Sequence, residues 1–93
     1  MTFKDVNVGD TIYCIFTNNN EVSVRKSKVV NLEMKNGYKI IYHGRTYDEI
    51  PFNHLSASKI KANEGYMLFL SKKVFKKYYT KQLEKLIESE SEK

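Results

Sequence analysis

The 93-residue sequence has one cysteine, one proline, four glycines and no tryptophan. The lone Cys14 excludes an intramolecular disulfide framework and a cysteine-based zinc site. So little proline and glycine excludes collagen-like and Pro-rich linker chains. The glycines stand singly, so no Gly-rich phosphate loop is present. No apolar run approaches the roughly 18 residues that a membrane-crossing helix needs. The start, Met1-Thr2-Phe3-Lys4-Asp5, has no apolar stretch behind it, so no cleaved leader is expected and the expected location is the cytoplasm.

What is present suffices for one core. Hydrophobic residues make up 41% of the chain and aromatics 13%, with seven Tyr and five Phe. This composition and length predict a single domain over 1–93. The net charge of +5 is unevenly spread. Residues 1–24 and 82–93 each sum to −2, whereas 25–81 hold thirteen Lys/Arg against Glu33, Asp48, Glu49 and Glu64. A basic middle attracts nucleic acids and acidic proteins alike.

The first two-thirds read as short strands. Val8-Gly9-Asp10 opens a strand over Thr11–Thr17, whose apolar groups lie on both faces, the mark of a central or covered strand. Asn18-Asn19-Asn20 reads as a loop. A long strand over Val22–Met34 shifts apolar phase near Val29-Val30, which predicts a bulge. Asn36-Gly37 predicts a tight hairpin into Tyr38–His43, with Tyr38, Ile40 and Tyr42 on one face. Gly44-Arg45 turns into Thr46–Ile50, ended by Pro51, and Phe52–Ser58 reads as irregular. Lys59–Ala62 reads as an edge strand, Asn63-Glu64-Gly65 as a turn and Tyr66–Leu70 as the last strand. Ser71 then reads as the N-cap of a helix over 71–88, followed by a frayed polar tail over 89–93. Val74, Phe75, Tyr78, Tyr79, Leu83, Leu86 and Ile87 recur at helical spacing. The expected fold is mainly β with a C-terminal α-helix: a small antiparallel barrel of five or six strands over 8–70, capped by the helix. Phe75, Tyr79 and Leu86 are its expected structural anchors, with Phe75, Tyr78 and Tyr79 large enough to plug the barrel.

Two segments carry a resemblance. Val8-Gly9-Asp10-Thr11-Ile12-Tyr13 resembles the V-G-D-x-V-Y opening of many SH3-like barrels. Leu68-Phe69-Leu70-Ser71-Lys72-Lys73-Val74-Phe75 resembles the strand-to-helix segment of small proteins of phages, prophages and low-GC bacteria. There the Lys is usually followed by acids and Ala, where this chain has Lys73, Val74 and Phe75. The resemblance runs over about residues 8–85 as an order of elements. It implies an SH3-like barrel, a mobile-element origin and a bacterial host's cytoplasm, and it carries no functional residues with it.

Candidate chemistry is sparse. Cys14 lies mid-strand in an apolar alternation and reads as a buried thiol. His43 and His54 lack metal-ligand spacing, and Asp48-Glu49 occupy opposite strand faces, with a local ion pair to Arg45 expected. No enzymatic activity, cofactor, small-molecule substrate or membrane is expected. Two basic groups stand out as candidate phosphate- or partner-binding residues. One is Lys72, Lys73, Lys76, Lys77 and Lys81, fanned on the early turns of the helix against its dipole. The other is Arg25, Lys26 and Lys28 with Lys35 and Lys39, a basic hairpin beside Tyr38 or Tyr42 that could track a backbone and stack bases. The expected function is a non-enzymatic binding module for nucleic acid. The alternatives are an accessory protein that modulates an acidic host protein of transcription, replication or defence, and a virion structural or assembly protein. The oligomeric state stays open.

Overall fold

The Asn36-Gly37 turn organises the sheet: both residues take positive φ, 53° and 82°, the left-handed pair that a tight hairpin demands. In the computed structural model, which describes residues 1–18, 21–63 and 65–91, this turn joins two antiparallel strands. The strands are β1 (Thr11–Thr17), β2 (Val22–Lys35), β3 (Tyr38–His43), β4 (Thr46–Pro51), β5 (Lys59–Asn63) and β6 (Tyr66–Phe69). One 3₁₀ turn at Phe3–Asp5 precedes them, another at Phe52–His54 follows β4, and α1 spans Lys72–Ser91. The helix thus continues three residues beyond the expected 88. Of the expected loop, turn and tail, Asn19, Asn20, Glu64, Glu92 and Lys93 lie outside the described residues.

The six strands form one antiparallel sheet in the order β4-β3-β2-β1-β6-β5, curled into a half-barrel with β4 and β5 at its free edges. The 14-residue β2 serves both halves, pairing first with β1 and then with β3. Its register slips between Val29 and Asn31, so Val30 bulges out and the strand bends. The phase shift in the sequence marks this bend. Across the bulge, Ser27 and Val29 before it and Leu32 after it all face the concave side. β1 lies between β2 and β6, which accounts for apolar groups on both its faces.

The concave core contains Phe3, Val6, Ile12, Cys14, Val29, Ile41, Ile50, Leu68 and Leu70. Phe3 and Val6 come from a segment in which no element is legible, and they close the end of the half-barrel. Their backbone is tied down: Phe3 N–H donates to Ala57 O and Lys4 N–H to Leu55 O, each at 2.9 Å. Gly65 makes the other close approach. At φ +77° it sits so near Thr17 that an added Cβ would lie 2.4 Å from that residue's carbonyl oxygen.

The helix lies on the convex face of β1 and β6. Ser71 caps it, its Oγ accepting the Val74 N–H at 3.4 Å. Phe75 stacks on Tyr13 at 5.0 Å, and Phe69, paired with Tyr13 across the strands, meets Phe75 edge-on and Tyr78 at 5.3 Å. Phe75, Tyr78, Tyr79, Gln82 and Leu86 form its half-buried stripe, while Val74, Leu83 and Ile87 are exposed. The helix therefore covers a face of the sheet. Its aromatics do not plug the interior, which Phe3 and Val6 reach instead.

Candidate nucleic-acid interface

Strand alternation and register decide where each basic side chain points. On β2, Lys26 pairs with Tyr13 and Lys28 with Thr11, so both share the convex face on which the helix lies. On β5, Lys59 pairs with Phe69 and Lys61 with Met67, again the helix-bearing face. The half-buried stripe of α1 turns toward the sheet. At 100° per residue, Lys72, Lys73, Lys76, Lys77 and Lys81 spread over the opposite, exposed arc. Lys59, Lys77 and Lys81 meet around a shallow cleft of about 310 Å³ between β5 and α1, lined also by Val74, Phe69 and Tyr78. Glu84, near Lys76, Lys77 and Lys81 on the outer helix surface, is the first acid of this face. Among the described residues, none of these lysines has a carboxylate within ion-pair distance.

The second predicted group does not stay together. Arg25 pairs with Cys14 and faces the concave side, where its guanidinium lies 5.7 Å over the Phe16 ring. It lines a cleft of about 550 Å³ at the mouth of the half-barrel with Phe16, Asp48 and Tyr66. Lys35 lies beyond the bulge, opposite Tyr38 and one alternation from Glu33. Lys39 is a correction. It is not a surface contact but a core residue, 2% exposed, whose Nζ donates to the carbonyls of Phe3, Lys4 and Val6 at 2.7, 3.1 and 3.0 Å. Burial pushes this ammonium below its usual value, opposed by the charges of Asp5 and Asp10. All three donors of Lys39 are occupied, so none remains for a phosphate. The tyrosines expected beside a basic hairpin also have different neighbours. Tyr42 donates to Glu33 Oε2 at 2.8 Å, a contact that pushes its phenol upward.

One polar cluster escapes the sequence reading as a unit. His43, fully buried, bonds through Nε2 to Asp48 Oδ2, which also accepts the Tyr66 hydroxyl at 3.1 Å. The Tyr66 hydroxyl lies 3.5 Å from Cys14 Sγ. The partner of Asp48 is therefore His43, not Arg45. Across the two-residue Gly44-Arg45 turn, His43 pairs with Thr46, which places Asp48 on the same face as His43. That spacing is the available signal. Burial pushes both the Cys14 thiol and the Tyr66 phenol upward. The thiol is thereby held away from the thiolate that nucleophilic chemistry requires. No family model, curated protein or solved structure matches this chain.

Proposed function

We propose that the protein is a non-enzymatic module that binds the phosphate backbone of duplex nucleic acid through its helix-bearing face. The observation that carries this reading is the gathering of Lys26, Lys28, Lys59, Lys61 and the five helix lysines on one side of the molecule, without carboxylate partners among the described residues. Such a surface offers counterion release as its driving force. Of the rings on this face, Tyr13, Phe75 and Tyr78 are spent on packing the helix to the sheet, and half-buried Tyr79 stacks on Phe75 along the helix. They are not presented for base stacking, which favours backbone contact over reading of a single strand. The raised Cys14 thiol supports the non-enzymatic reading.

The test is fluorescence anisotropy with a labelled duplex of arbitrary sequence, near 50 mM salt. Micromolar or tighter binding that weakens steeply with salt, and that Lys73→Glu with Lys77→Glu abolishes while folding is kept, is expected. Absence of binding by the folded wild type would overturn the proposal. Nuclease-resistant capture of an acidic host protein by the same lysines would put the accessory-protein alternative in its place.

A further inference from the structure

The other half of the convex surface, over β2, β3 and β4 beyond the bulge, has no helix on it among the described residues and carries the opposite chemistry. The registers make it a three-by-three grid. Asn31, Tyr42 and Tyr47 form one row, Glu33, Ile40 and Glu49 the next, and Lys35, Tyr38 and Pro51 the third. Ile40 is the centre and the floor, only 8% exposed, with a glutamate on either side and tyrosines above and below. Neighbouring strands lie about 4.8 Å apart, so the backbones of the two glutamates are about 10 Å apart. Among the described residues neither has a cationic partner, although the chain is rich in lysine. Tyr42 and Tyr47 lean on each other at 5.7 Å, and the Tyr42 hydroxyl holds the Glu33 carboxylate in place. The grid forms a cleft of about 340 Å³.

We infer that this grid is a docking site for an arginine side chain presented by an extended segment of a partner protein. The two carboxylates, neither in an ion pair among the described residues, outnumber Lys35 in the lining of this cleft, and they repel phosphates and attract a cation. Tyrosine faces attract cations through their quadrupole, and a planar guanidinium both stacks on a ring and forks toward a carboxylate, which an ammonium does not. A place for the chain bearing that arginine adjoins the grid. A cleft of about 660 Å³ runs along the seam between the free edges of β4 and β5, and Tyr38, Tyr47 and Glu49 line both clefts. Among the described residues the outer backbone of β4 has no strand beside it, so an extended segment in the seam has main-chain groups to pair with. Lys59 and Lys61 line the β5 side of the same seam, so a segment lying there meets two lysines of the helix-bearing face as well as the carboxylates of Asp48 and Glu49.

The test is an amide chemical-shift titration of the full chain with the capped peptide Gly-Ser-Arg-Ser-Gly and its lysine and citrulline counterparts. The arginine peptide is expected to give saturable shifts at Tyr38, Ile40, Tyr42, Tyr47 and Glu49. It should bind at least fivefold more tightly than the lysine peptide, with no saturation by citrulline, which lacks the charge. Glu33→Gln with Glu49→Gln should weaken binding at least tenfold while leaving the thermal midpoint nearly unchanged. Both side chains are exposed, and the amide oxygen of a glutamine at position 33 still accepts from Tyr42. Tyr47→Ser gives a second, independent loss. Equal response to arginine and lysine, shifts confined to other surfaces, or full affinity in the glutamine variant would overturn the inference. So would movement of the same resonances with protein concentration alone, which would make the occupant a second copy of the chain.

Discussion

The imidazole of His43 and the carboxylate of Asp48 are joined across the β3–β4 hairpin, Nε2 to Oδ2 at 2.5 Å, and Tyr66 reaches the same oxygen from β6. Because β4 and β6 are not neighbours in the sheet, this is a polar pin across the half-barrel. The Nδ1 atom of His43 is buried without a partner among the described residues, so the bond to Asp48 is the polar contact that holds the ring there. Asp48→Ala would strand a buried ring and a phenol together. Each buried donor left without its acceptor costs about 1–3 kcal/mol, so losing the acceptor of both is a large share of the roughly 5–15 kcal/mol of a whole domain. Urea denaturation should show Asp48→Ala near unfolding. Tyr66→Phe, which loses one hydroxyl donor, should cost about 1 kcal/mol. A wild-type midpoint for Asp48→Ala would remove the pin from the account of stability.

Lys39 and the N-terminal segment form a second, separate support. Three carbonyls of residues 3–6 converge on one ammonium, so Lys39→Ala leaves buried acceptors unpaired as well as opening space. A loss of about 2–4 kcal/mol is expected, from about 1–3 kcal/mol for each unsatisfied group with partial relief by water. The same substitution, measured below its melting point, should leave the salt dependence of duplex binding unchanged. A reduced salt slope with unaltered stability would show instead that the side chain reaches ligand.

The helix anchor is half-buried, so its cost is smaller than that of an interior plug. Phe75→Ala removes the stack on Tyr13 and the contacts with Phe69 and Tyr79. A buried Phe→Ala change costs about 3–5 kcal/mol, and partial exposure lowers this to about 2 kcal/mol. Thermal unfolding by circular dichroism should show that loss, with helical signal falling ahead of strand signal. Coincident transitions would mean that the helix and sheet melt as one unit.

Acid should loosen the N-terminal segment first. The Thr2 hydroxyl and N–H donate to Asp5 Oδ2 at 3.0 and 3.3 Å, and these bonds, hydroxyl first, hold its carboxyl below the ordinary 3.8. A depressed folded-state value means that the contribution is complete above the unfolded value and disappears as pH falls through the folded one. Thermal midpoints measured from pH 5 to pH 2 should decline, and Asp5→Asn should flatten that decline. An unchanged acid limb in Asp5→Asn would assign it to other carboxylates.

The readable parts of the sequence are those in which one local rule suffices. Asn36-Gly37 sets a turn, the apolar phase sets the Val30 bulge, and Ser71 sets the start of the helix. The placement of Lys39 needs two rules at once. Tyr38, Ile40 and Tyr42 are legible as one face, which leaves Lys39, Ile41 and His43 on the other. Only the burial of Ile41 identifies that other face as the core, and only the docked N-terminal segment supplies acceptors for a buried ammonium. Phe3 and Val6 are not legible because a single 3₁₀ turn is too short to show a period. The basic hairpin looks continuous because the bulge and the alternation that distribute Arg25, Lys26, Lys35 and Lys39 to different surfaces act through register, not through proximity in the chain.

That distribution yields the sharpest test of the lysine face. Lys59→Glu with Lys77→Glu and Arg25→Glu with Lys35→Glu change net charge equally, but only the first pair lies on the helix-bearing side. If overall charge alone draws the protein to nucleic acid, the two variants lose affinity equally. If phosphates sit against the helix face, only the first variant loses contacts. Each contact to duplex DNA contributes about 0.9 to the slope of log affinity against log salt, so two lost contacts should flatten that slope by about 1.8. Arg25→Glu with Lys35→Glu should keep the wild-type slope and shift affinity only modestly at low salt, where screening is weakest. Both pairs lie on the surface, where substitutions usually change stability by less than about 0.5 kcal/mol, so thermal midpoints serve as the control for folding. Equal flattening in both variants would mean that the ligand does not distinguish the faces, and the helix side would lose its claim to be the interface.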